Sequence, residues 1–524
     1  MRRIILSLTI LLVSGQLFAG GIVTNANQSA SYVRMYARDA STALDAVYYN
    51  PAGLAFLDDG WYISLNNQTI IQRKTITNAY PALNDQEYNG DVLAPAFPGV
   101  YAVYKKNNWA FSFGFNPAGG GGSAEYEEGL PSFEVPISTL PSQLGGLSAF
   151  GLNVEEYSAD LFFEGSSVFW GMQAGVTYKV NDMLSVFGGG RFIRAVNTYN
   201  GHIRNIQLMV NGEYTKASPF LANTSDMLSG LADDLYTASS NLQAAIKGGM
   251  IDSLATVSDE DIIDALTNFV DDPSSVTNNK AVDILEKGGV KFAELSEDLA
   301  GNSQAVADKD VDVRQVATGF TPILGVNIVP AEGWNIGIKY EFNTTLEFEN
   351  DTEVDGTGQF PDGGKFRNDM PALLSAGVSY QLFDNFKVSS GMHYFFDKNA
   401  DWDGKEEEVD ANLWEVAMGF EYDVTDQILI SAGYLYGNTG VGRGYQTDLK
   451  YSLNSNTVGF GGRMMIHPAI AMNLGMSYTV YEDGYKFISY DGDNQFRETY
   501  DKNNLIFSIG FDVNIKELGN SSDK

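Results

Sequence analysis

The 524-residue chain has no cysteine, only three histidines, and half as many lysine and arginine residues (33) as aspartate and glutamate residues (66). Without cysteine it forms no disulfide and performs no thiol chemistry. The formal charge of −33 argues against nucleic acid as a partner, because phosphate binding needs clustered cations. No Gly-x-Ser-x-Gly, zinc or phosphate-loop motif occurs, and neither His393 nor His467 has an evident serine or aspartate partner. We therefore expect no enzyme, no catalytic residue, no metal and no cofactor, with a Ser-His site as the remaining alternative.

The chain also lacks any apolar run long enough to cross a bilayer as a helix. Arg2 and Arg3 precede the apolar run Ile4–Val13, and small residues follow over Gly15–Ala19, which predicts a signal peptide over residues 1–19. Ten apolar residues are too few for a membrane-spanning helix, and glycine, serine, asparagine or charge interrupts every later stretch. After export, the chain is either a soluble secreted protein or an outer-membrane barrel.

What the chain has in abundance is alternation of apolar and polar residues. In 505–515 every second residue is apolar, and the residues between them are Ser508, Gly510, Asp512 and Asn514. The same pattern recurs over more than 450 residues, with 12% aromatic residues and 55 glycines. A closed barrel with lipid outside and a polar lumen explains this best. A secreted β-sandwich or propeller is the alternative.

We predict an all-β fold, a transmembrane antiparallel β-barrel of about 14 strands over residues 59–516, with a short tail over 517–524. The expected strands are 62–71, 92–105, 107–115, 167–180, 184–206, 311–329, 334–349, 372–382, 386–396, 413–423, 428–436, 449–466, 471–485 and 500–515. Short and long connections alternate, as periplasmic turns and extracellular loops do in bacterial barrels. Both chain ends should then lie on the periplasmic side.

The longest connection, 207–310, changes to helical periodicity. Apolar residues three and four apart predict an amphipathic helix over 228–245. Ser258 is the expected cap of a second helix, with Asp261 at the capping-box position, and a third helix over 282–299 should be interrupted at Gly288-Gly289. We expect an acidic helical cap over the outer mouth. The alternative is that these apolar faces pack only on one another.

Before the first strand, residues 20–58 are rich in alanine, serine, asparagine and aspartate, and they are long enough to fold into the lumen as a plug. The motif Asn50, Pro51, Ala52, Gly53 is typical of a turn. Together with Arg34-x-Tyr36-Ala37 and Asp45-Ala46, its order and spacing resemble the amino-terminal hatch of the FadL/TodX family of outer-membrane transporters for long-chain fatty acids and hydrocarbons. The strand count and the large loops after the third and fifth strands are also similar to that family.

The resemblance implies that loops capture a hydrophobic molecule, that the lumen binds it, and that hatch movement lets it leave sideways through a kink in the third strand. Proline removes a ladder donor and glycine permits sharp bends. The lateral-opening candidates are Pro117, Gly119, Gly120, Gly121 and Gly122. The alternative is that a loop simply begins there, just above the membrane.

Two further sets of residues are candidate ligand contacts. The loop 118–165 carries apolar residues that suit an acyl chain, or that pack against the 207–310 helices: Phe133, Ile137, Leu140, Leu144, Leu147 and Phe150. By strand parity Arg191, Lys339 and Arg463 point inward, where each could receive a carboxylate or pair with a luminal acid such as Glu341.

We thus expect an outer-membrane protein of a bacterium, a monomer in contact with outer-membrane lipid, that takes up a hydrophobic small molecule, a long-chain fatty acid or a hydrocarbon. A structural or assembly role in an outer-membrane secretion or lipid-handling system is the alternative. A general diffusion porin is a third possibility, which a plug and a capped mouth would oppose.

Overall fold

The computed structural model describes residues 22–267, 269–490 and 494–521, so the predicted signal peptide lies outside the described residues. The chain divides into two compact units. One comprises residues 134–160 and 203–309. The other comprises the remaining described segments, including everything that precedes the first strand.

Among the described residues, strands account for most of the regular secondary structure, and eight α-helices accompany them. The strands are β1 (Gly60–Asn78), β2 (Glu87–Lys106), β3 (Trp109–Tyr126), β4 (Val154–Lys179), β5 (Leu184–Val210), β6 (Glu213–Lys216), β7 (Lys309–Ile328), β8 (Trp334–Glu341), β9 (Glu347–Asp355), β10 (Lys365–Arg367), β11 (Leu373–Phe383), β12 (Phe386–Phe395), β13 (Trp414–Thr425), β14 (Ile428–Asn438), β15 (Ser455–His467), β16 (Ile470–Tyr481), β17 (Gly484–Ile488) and β18 (Phe496–Asn514). The helices are α1 (Ala30–Arg34), α2 (Ala46–Tyr49), α3 (Pro131–Ser138), α4 (Leu140–Gln143), α5 (Ala217–Lys247), α6 (Glu260–Leu266), α7 (Asn278–Ala305) and α8 (Ile515–Ser521).

The sheet closes on itself as an antiparallel barrel. β1 pairs with β2 on one side and with β18 on the other, in a register that runs from Tyr62↔Asn514 to Asn78↔Glu498. Fourteen strands form the wall, and the short strands β6, β9, β10 and β17 add to it. The predicted barrel of fourteen strands is confirmed. The expected strand 334–349 is divided into β8 and β9, because Thr344 between them bridges to Met370 instead of continuing the ladder.

Side chains alternate between the two faces of the wall as the sequence pattern predicts. On β1, Trp61, Ile63 and Leu65 are exposed, whereas Tyr62 and Ser64 between them are buried towards the lumen. Aromatic pairs lie at the end of the barrel where the short turns connect the strands. Their ring centroids are 4.4 to 4.5 Å apart: Trp61 with Tyr104, Trp109 with Tyr178, and Trp334 with Tyr380. A closed barrel with an apolar, aromatic-edged exterior and a polar interior is a bacterial outer-membrane barrel.

The helical insertion forms its own apolar core. Leucine, valine and phenylalanine side chains of α5, α6 and α7 pack on one another, among them Leu235, Leu266 and Leu285. The apolar faces therefore pack on one another, but Phe150 of the loop 118–165 packs against the same cluster, so they do not pack only on one another. No helix within the described ranges combines the length and apolarity needed to cross a membrane.

Two details of the predicted helices are wrong. The cap of α6 is Asp259, whose carboxylate accepts from the Asp261 and Ile262 amides, and not Ser258. The third helix, α7, runs without interruption through Gly288 and Gly289. Both glycines are buried there, and a Cβ at Gly288 would lie 2.5 Å from the Phe269 ring, so they serve close packing and do not end the helix.

Candidate functional site

The segment before β1 lies inside the barrel and fills much of its lumen. Nearly every residue from Val23 to Ala55 is buried, including polar ones, and α1 packs against β1, β14, β15, β16 and β18. We call residues 22–57 the hatch. Its many small and polar residues match the polar interior of the wall, and its tyrosines and aliphatic residues form an apolar cluster with wall residues such as Tyr101 and Val103.

Glycines in the wall make room for the hatch backbone. A Cβ at Gly337 would lie 2.1 Å from the Asp39 carbonyl oxygen, and one at Gly459 would lie 2.2 Å from the Val33 carbonyl oxygen. Approaches of 2.2 to 2.8 Å to hatch atoms occur around the lumen, at Gly99, Gly391, Gly419, Gly433 and Gly475. We call these seven residues the glycine belt. They let the hatch pack directly on strand backbone, which larger luminal side chains would prevent.

The motif Asn50–Gly53 anchors the end of the hatch to three strands. Asn50 Nδ2 donates to the Ser41 carbonyl oxygen at 3.0 Å and to Asn327 Oδ1 of β7 at 2.6 Å. Pro51 begins a 3₁₀ helix, Pro51–Phe56, in which the Pro51 carbonyl accepts from Thr177 Oγ1 and the Ala52 carbonyl accepts from Ser185 Oγ. Two backbone carbonyls of the motif are therefore bound by luminal hydroxyls.

Buried ion pairs hold the middle of the hatch. Arg38 forms a two-point contact with Asp45, at 2.6 and 2.9 Å, and also reaches Glu421 of β13 at 3.3 Å. Arg34 donates to the same Glu421 carboxylate at 3.0 Å, and Lys387 of β12 is also paired with it. Burial lowers the pKa of Arg38, but the Asp45 and Glu421 carboxylates outweigh burial, so the net pKa is raised and the guanidinium stays charged.

His393 of β12 links the hatch to the wall through two carboxylates. Its Nε2 lies 2.9 Å from Asp39 Oδ1 of the hatch, and its Nδ1 lies 2.9 Å from Glu415 Oε2 of β13. The expectation that His393 has no aspartate partner is wrong, because Asp39 is distant in sequence and meets it only when the hatch enters the lumen. Since both ring nitrogens bind carboxylates, neither is free to activate a serine.

Of the three predicted head-group residues, two lie together. Arg191 donates to Glu341 at 2.6 and 3.2 Å, and Lys339 contacts the same carboxylate at 2.6 Å. Both cations also lie over the Tyr48 ring of the hatch, at 4.8 and 4.7 Å. Arg463 lies elsewhere, near the short-turn end of β15, half-exposed and 3.9 Å from Asp423. A ligand role for any of the three stays a prediction.

Sequence reasoning missed another pair of luminal cations. Lys74 of β1 and Lys502 of β18 are direct partners in the ladder, and both are buried. The signal was present in the sequence, because the strand parity that placed Arg191 inside also places Lys74 and Lys502 inside.

The wall is interrupted between β2 and β3. Their ladder runs to the pair Val100↔Phe115, then stops, and resumes only at Asp91↔Glu125. On β3 the alternation of burial breaks over the same stretch, where 116–121 are all buried, and the pairing with β4 shifts register twice. The third strand therefore bends inward at Pro117 and the glycines that follow it. The β2 stretch 92–99 stays paired with β1 over most of its length but has no partner on its β3 side, and we call this break in the wall the β2–β3 gap.

The start of the hatch contacts the bent segment. The Asn25 amide donates to the Ala118 carbonyl at 2.9 Å, and the Gly120 amide donates to the Val23 carbonyl at 3.0 Å, which makes Thr24 and Gly119 an antiparallel bridge. Gln28 Nε2 donates to the Pro117 carbonyl at 2.8 Å. The hatch thus replaces the hydrogen bonds that β3 loses from β2.

The predicted apolar groove residues are mostly buried. Phe133 lies 5.7 Å from the Phe163 ring, edge to face, and Phe150 packs likewise on Phe292 of α7 at 5.6 Å. The other four are buried within or next to α3, α4 and the 3₁₀ turn 144–150: Ile137, Leu140, Leu144 and Leu147. Their role as a ligand groove stays a prediction.

Comparisons with known proteins show which fold this is. No protein-family model and no curated protein matches the sequence. Among solved structures, a FadL homologue of Pseudomonas aeruginosa is similar over 96% of this chain and 100% of its own, with 12% identity and a TM-score of 0.56. The toluene transporter TodX of Pseudomonas putida is similar over 95% and 99%, with 13% identity and a TM-score of 0.51. The chain therefore has the fold of the FadL/TodX family.

Proposed function

We propose that the protein is an outer-membrane channel for the uptake of hydrophobic compounds, with long-chain fatty acids as its substrate. The observation that carries the proposal is the β2–β3 gap. A gap in the wall beside a bent strand offers an apolar molecule a route from the lumen into lipid that avoids the water beyond the hatch. One structural neighbour is named as a toluene transporter, which is consistent with a hydrophobic cargo.

The proposed path has four steps. Apolar residues of the loop 118–165 capture the molecule, and the lumen above the hatch binds it. The bridge between Thr24 and Gly119 then opens as the start of the hatch moves. Release is sideways through the β2–β3 gap, down the gradient and without energy coupling.

The filled lumen opposes a general diffusion porin. Hatch residues from Val23 to Ala55 occupy the space that a water-filled pore would need, and buried ion pairs of Arg34 and Arg38 with Glu421 of the wall hold them there. An assembly role predicts something different, namely a lumen that binds no small molecule and loops that bind a protein.

Mass spectrometry of solvent extracts tests the proposal. The protein is purified in a non-ionic detergent, washed, and extracted beside a control barrel that has no hatch. We expect one class of hydrophobic compound, fatty acids, to be enriched in the extract. A clean extract, repeated after incubation with isotope-labelled fatty acids, would contradict uptake and favour the assembly role.

A further inference from the structure

Two polar side chains interrupt the lipid-facing side of β1. On this face Leu65 and Ile71 are exposed, and Asn67 and Thr69 stand between them in the same alternation. Their ladder partners on β18 are also exposed apolar residues of that face: Ile509 and Phe507. The two polar side chains are therefore surrounded by the apolar band of the wall, where a polar group without a hydrogen-bond partner is unfavourable.

Both side chains are bound to the same place on β2. Asn67 Nδ2 donates to the Pro95 carbonyl at 3.4 Å, and the Phe97 amide donates to Asn67 Oδ1 at 3.1 Å. Thr69 Oγ1 donates to the same Pro95 carbonyl at 3.0 Å. We call these three hydrogen bonds the β1–β2 clip. The clip explains why polar residues stand in the apolar band, because it satisfies them and the β2 backbone together.

β2 needs such partners because its own ladder is irregular there. Pro95 and Pro98 have no amide hydrogen to donate, and a bulge places two β2 residues opposite the single residue Thr69. On its other side the same stretch has no β3 partner. Unpaired backbone groups are costly in lipid, so side chains of β1 take the place of the missing strand partners.

The bulge turns the Phe97 side chain away from lipid. Pro95 and Ala96 are both exposed, so the alternation of β2 shifts by one position at the bulge, and Phe97 after it is buried. Inside the wall, Phe97 forms an apolar cluster with Val33 of the hatch and two isoleucines of β1 and β18. The clip on the outer face thus fixes an apolar contact between the hatch and the β2 edge of the gap.

We propose that Asn67 and Thr69 are positioning residues of the lateral exit. Through the clip they hold the stretch 92–99 on β1, so that it does not follow β3 inward and close the β2–β3 gap. This rests on the proposed uptake function and concerns its release step alone. A molecule binds in the lumen with or without the clip, but it leaves slowly when the β2 edge is no longer held.

Oleate uptake, measured separately from oleate binding, tests this. Uptake of labelled oleate by cells that lack their own fatty-acid channel gives a maximal rate and a half-saturating concentration. Asn67→Leu combined with Thr69→Val suits lipid but forms no clip. We expect this double variant to lower the maximal rate at least fivefold. The half-saturating concentration, and binding of oleate to the purified protein in nanodiscs, should stay within twofold of the wild type.

Two variants control for a merely structural effect. Thr69→Ser keeps the hydroxyl group and should take up oleate as the wild type does. Thr75 lies on the same face of β1, where its hydroxyl donates to Asn89 Oδ1 of β2 at 2.9 Å, outside the gap. Thr75→Val combined with Asn89→Leu removes a hydrogen bond of the same kind between the same strands. We expect this control to leave the maximal rate within twofold.

The outcomes separate the two proposals. A clip variant with the maximal rate of the wild type or of the control, or an equal fall in rate and in binding, would overturn the role of the clip alone. Wild-type cells that take up oleate at the empty-vector rate, with no binding to the purified protein, would overturn the uptake function and the clip with it. Heat-dependent migration in gels checks that each variant is folded. If the double variant does not fold, Thr69→Val against Thr75→Val makes the same comparison, with a twofold fall expected.

Discussion

Gly53, the last residue of the hatch motif, stands where only a glycine fits. A Cβ there would lie 2.4 Å from the Ser41 carbonyl oxygen and 2.6 Å from Asn50 Nδ2. We expect Gly53→Ala to lower the free energy of unfolding by about 1–3 kcal/mol, because backbone must shift to admit the methyl group. Urea unfolding in lipid vesicles measures this. Gly145→Ala, where nothing lies within 4 Å, is the control, and equal stability of both variants would contradict the close packing.

The cap of α6 provides a second test at one residue. Asp259→Ala should weaken amide protection in α6 by about 1 kcal/mol, because the Asp261 and Ile262 amides lose their acceptor. Ser258→Ala should change little. Hydrogen exchange of residues 260–266 in both variants is the measurement, and the reverse order would restore Ser258 as the cap.

The stability of the loop after β12 should depend on pH, because this loop contains the buried carboxyl group of Asp397. Burial raises the pKa of Asp397 to about 7, although its carboxylate accepts from the Leu413 amide. The folded loop thus holds a proton that the unfolded chain releases near pH 4, so the stability of the loop should fall as pH rises from 4 to 7. Lys450, whose pKa burial lowers to about 7, is protonated in both states over most of that window.

Hydrogen exchange of amides 397–413, corrected for the intrinsic effect of pH, measures that decline. Asp397→Asn keeps the shape of the side chain and should remove the pH dependence between 4 and 7. A wild type and a variant with the same pH profile would contradict the shifted pKa.

Single residues in the lumen were predictable only in part. Strand parity placed Arg191 and Lys339 inside correctly, because period two fixes the face of each residue. The partners were not predictable: Asp39 meets His393, and Arg34 meets Glu421, only through the folding of the hatch into the barrel. No local pattern in the sequence encodes these contacts.

At the scale of elements, the hatch and the wall fit together through the glycine belt. We expect Gly459→Leu to displace the hatch, because a side chain there meets the Val33 carbonyl. The barrel itself should remain folded, since the pairing of β14 and β15 is unchanged. Conductance of single channels in planar bilayers should rise as water enters the lumen.

Gly188→Leu is the control for this variant, because Gly188 is exposed on the wall and nothing lies within 4 Å of a Cβ there. If the single-channel conductance of Gly459→Leu is no higher than that of Gly188→Leu, the glycine belt does not hold the hatch in place.

The bend of β3 could be predicted from the sequence, but the segment that hydrogen-bonds to the bent strand could not. Pro117 and the run of glycines indicated interrupted pairing, and the structure interrupts the β2–β3 ladder there. That Val23 and Asn25 of the hatch take over the lost hydrogen bonds depends on tertiary folding. The lengths of α5 and α7 were underestimated, because small and polar residues at their ends extend both helices without an apolar stripe.

At the scale of the whole molecule, alternation over fourteen segments and the regular sequence of short and long connections were sufficient to predict the barrel. A closed barrel leaves no unpaired edge in lipid, so few other folds satisfy such a pattern. The C-terminal end differs in detail: the final strand stops at Asn514, and α8 occupies the start of the predicted tail.

The most direct test of the account is uptake of labelled oleate by Gram-negative cells that lack their own fatty-acid channel. Cells that express the wild type should take up oleate at least tenfold faster than cells with an empty vector. Gly120→Val should reduce uptake close to the vector rate, because Gly120 has a φ of +90° and a Cβ there would lie 2.5 Å from the Ser167 carbonyl. Gly188→Val is the control and should behave as the wild type. Uptake by wild-type cells at the vector rate, or full uptake by folded Gly120→Val, would contradict passage through the β2–β3 gap.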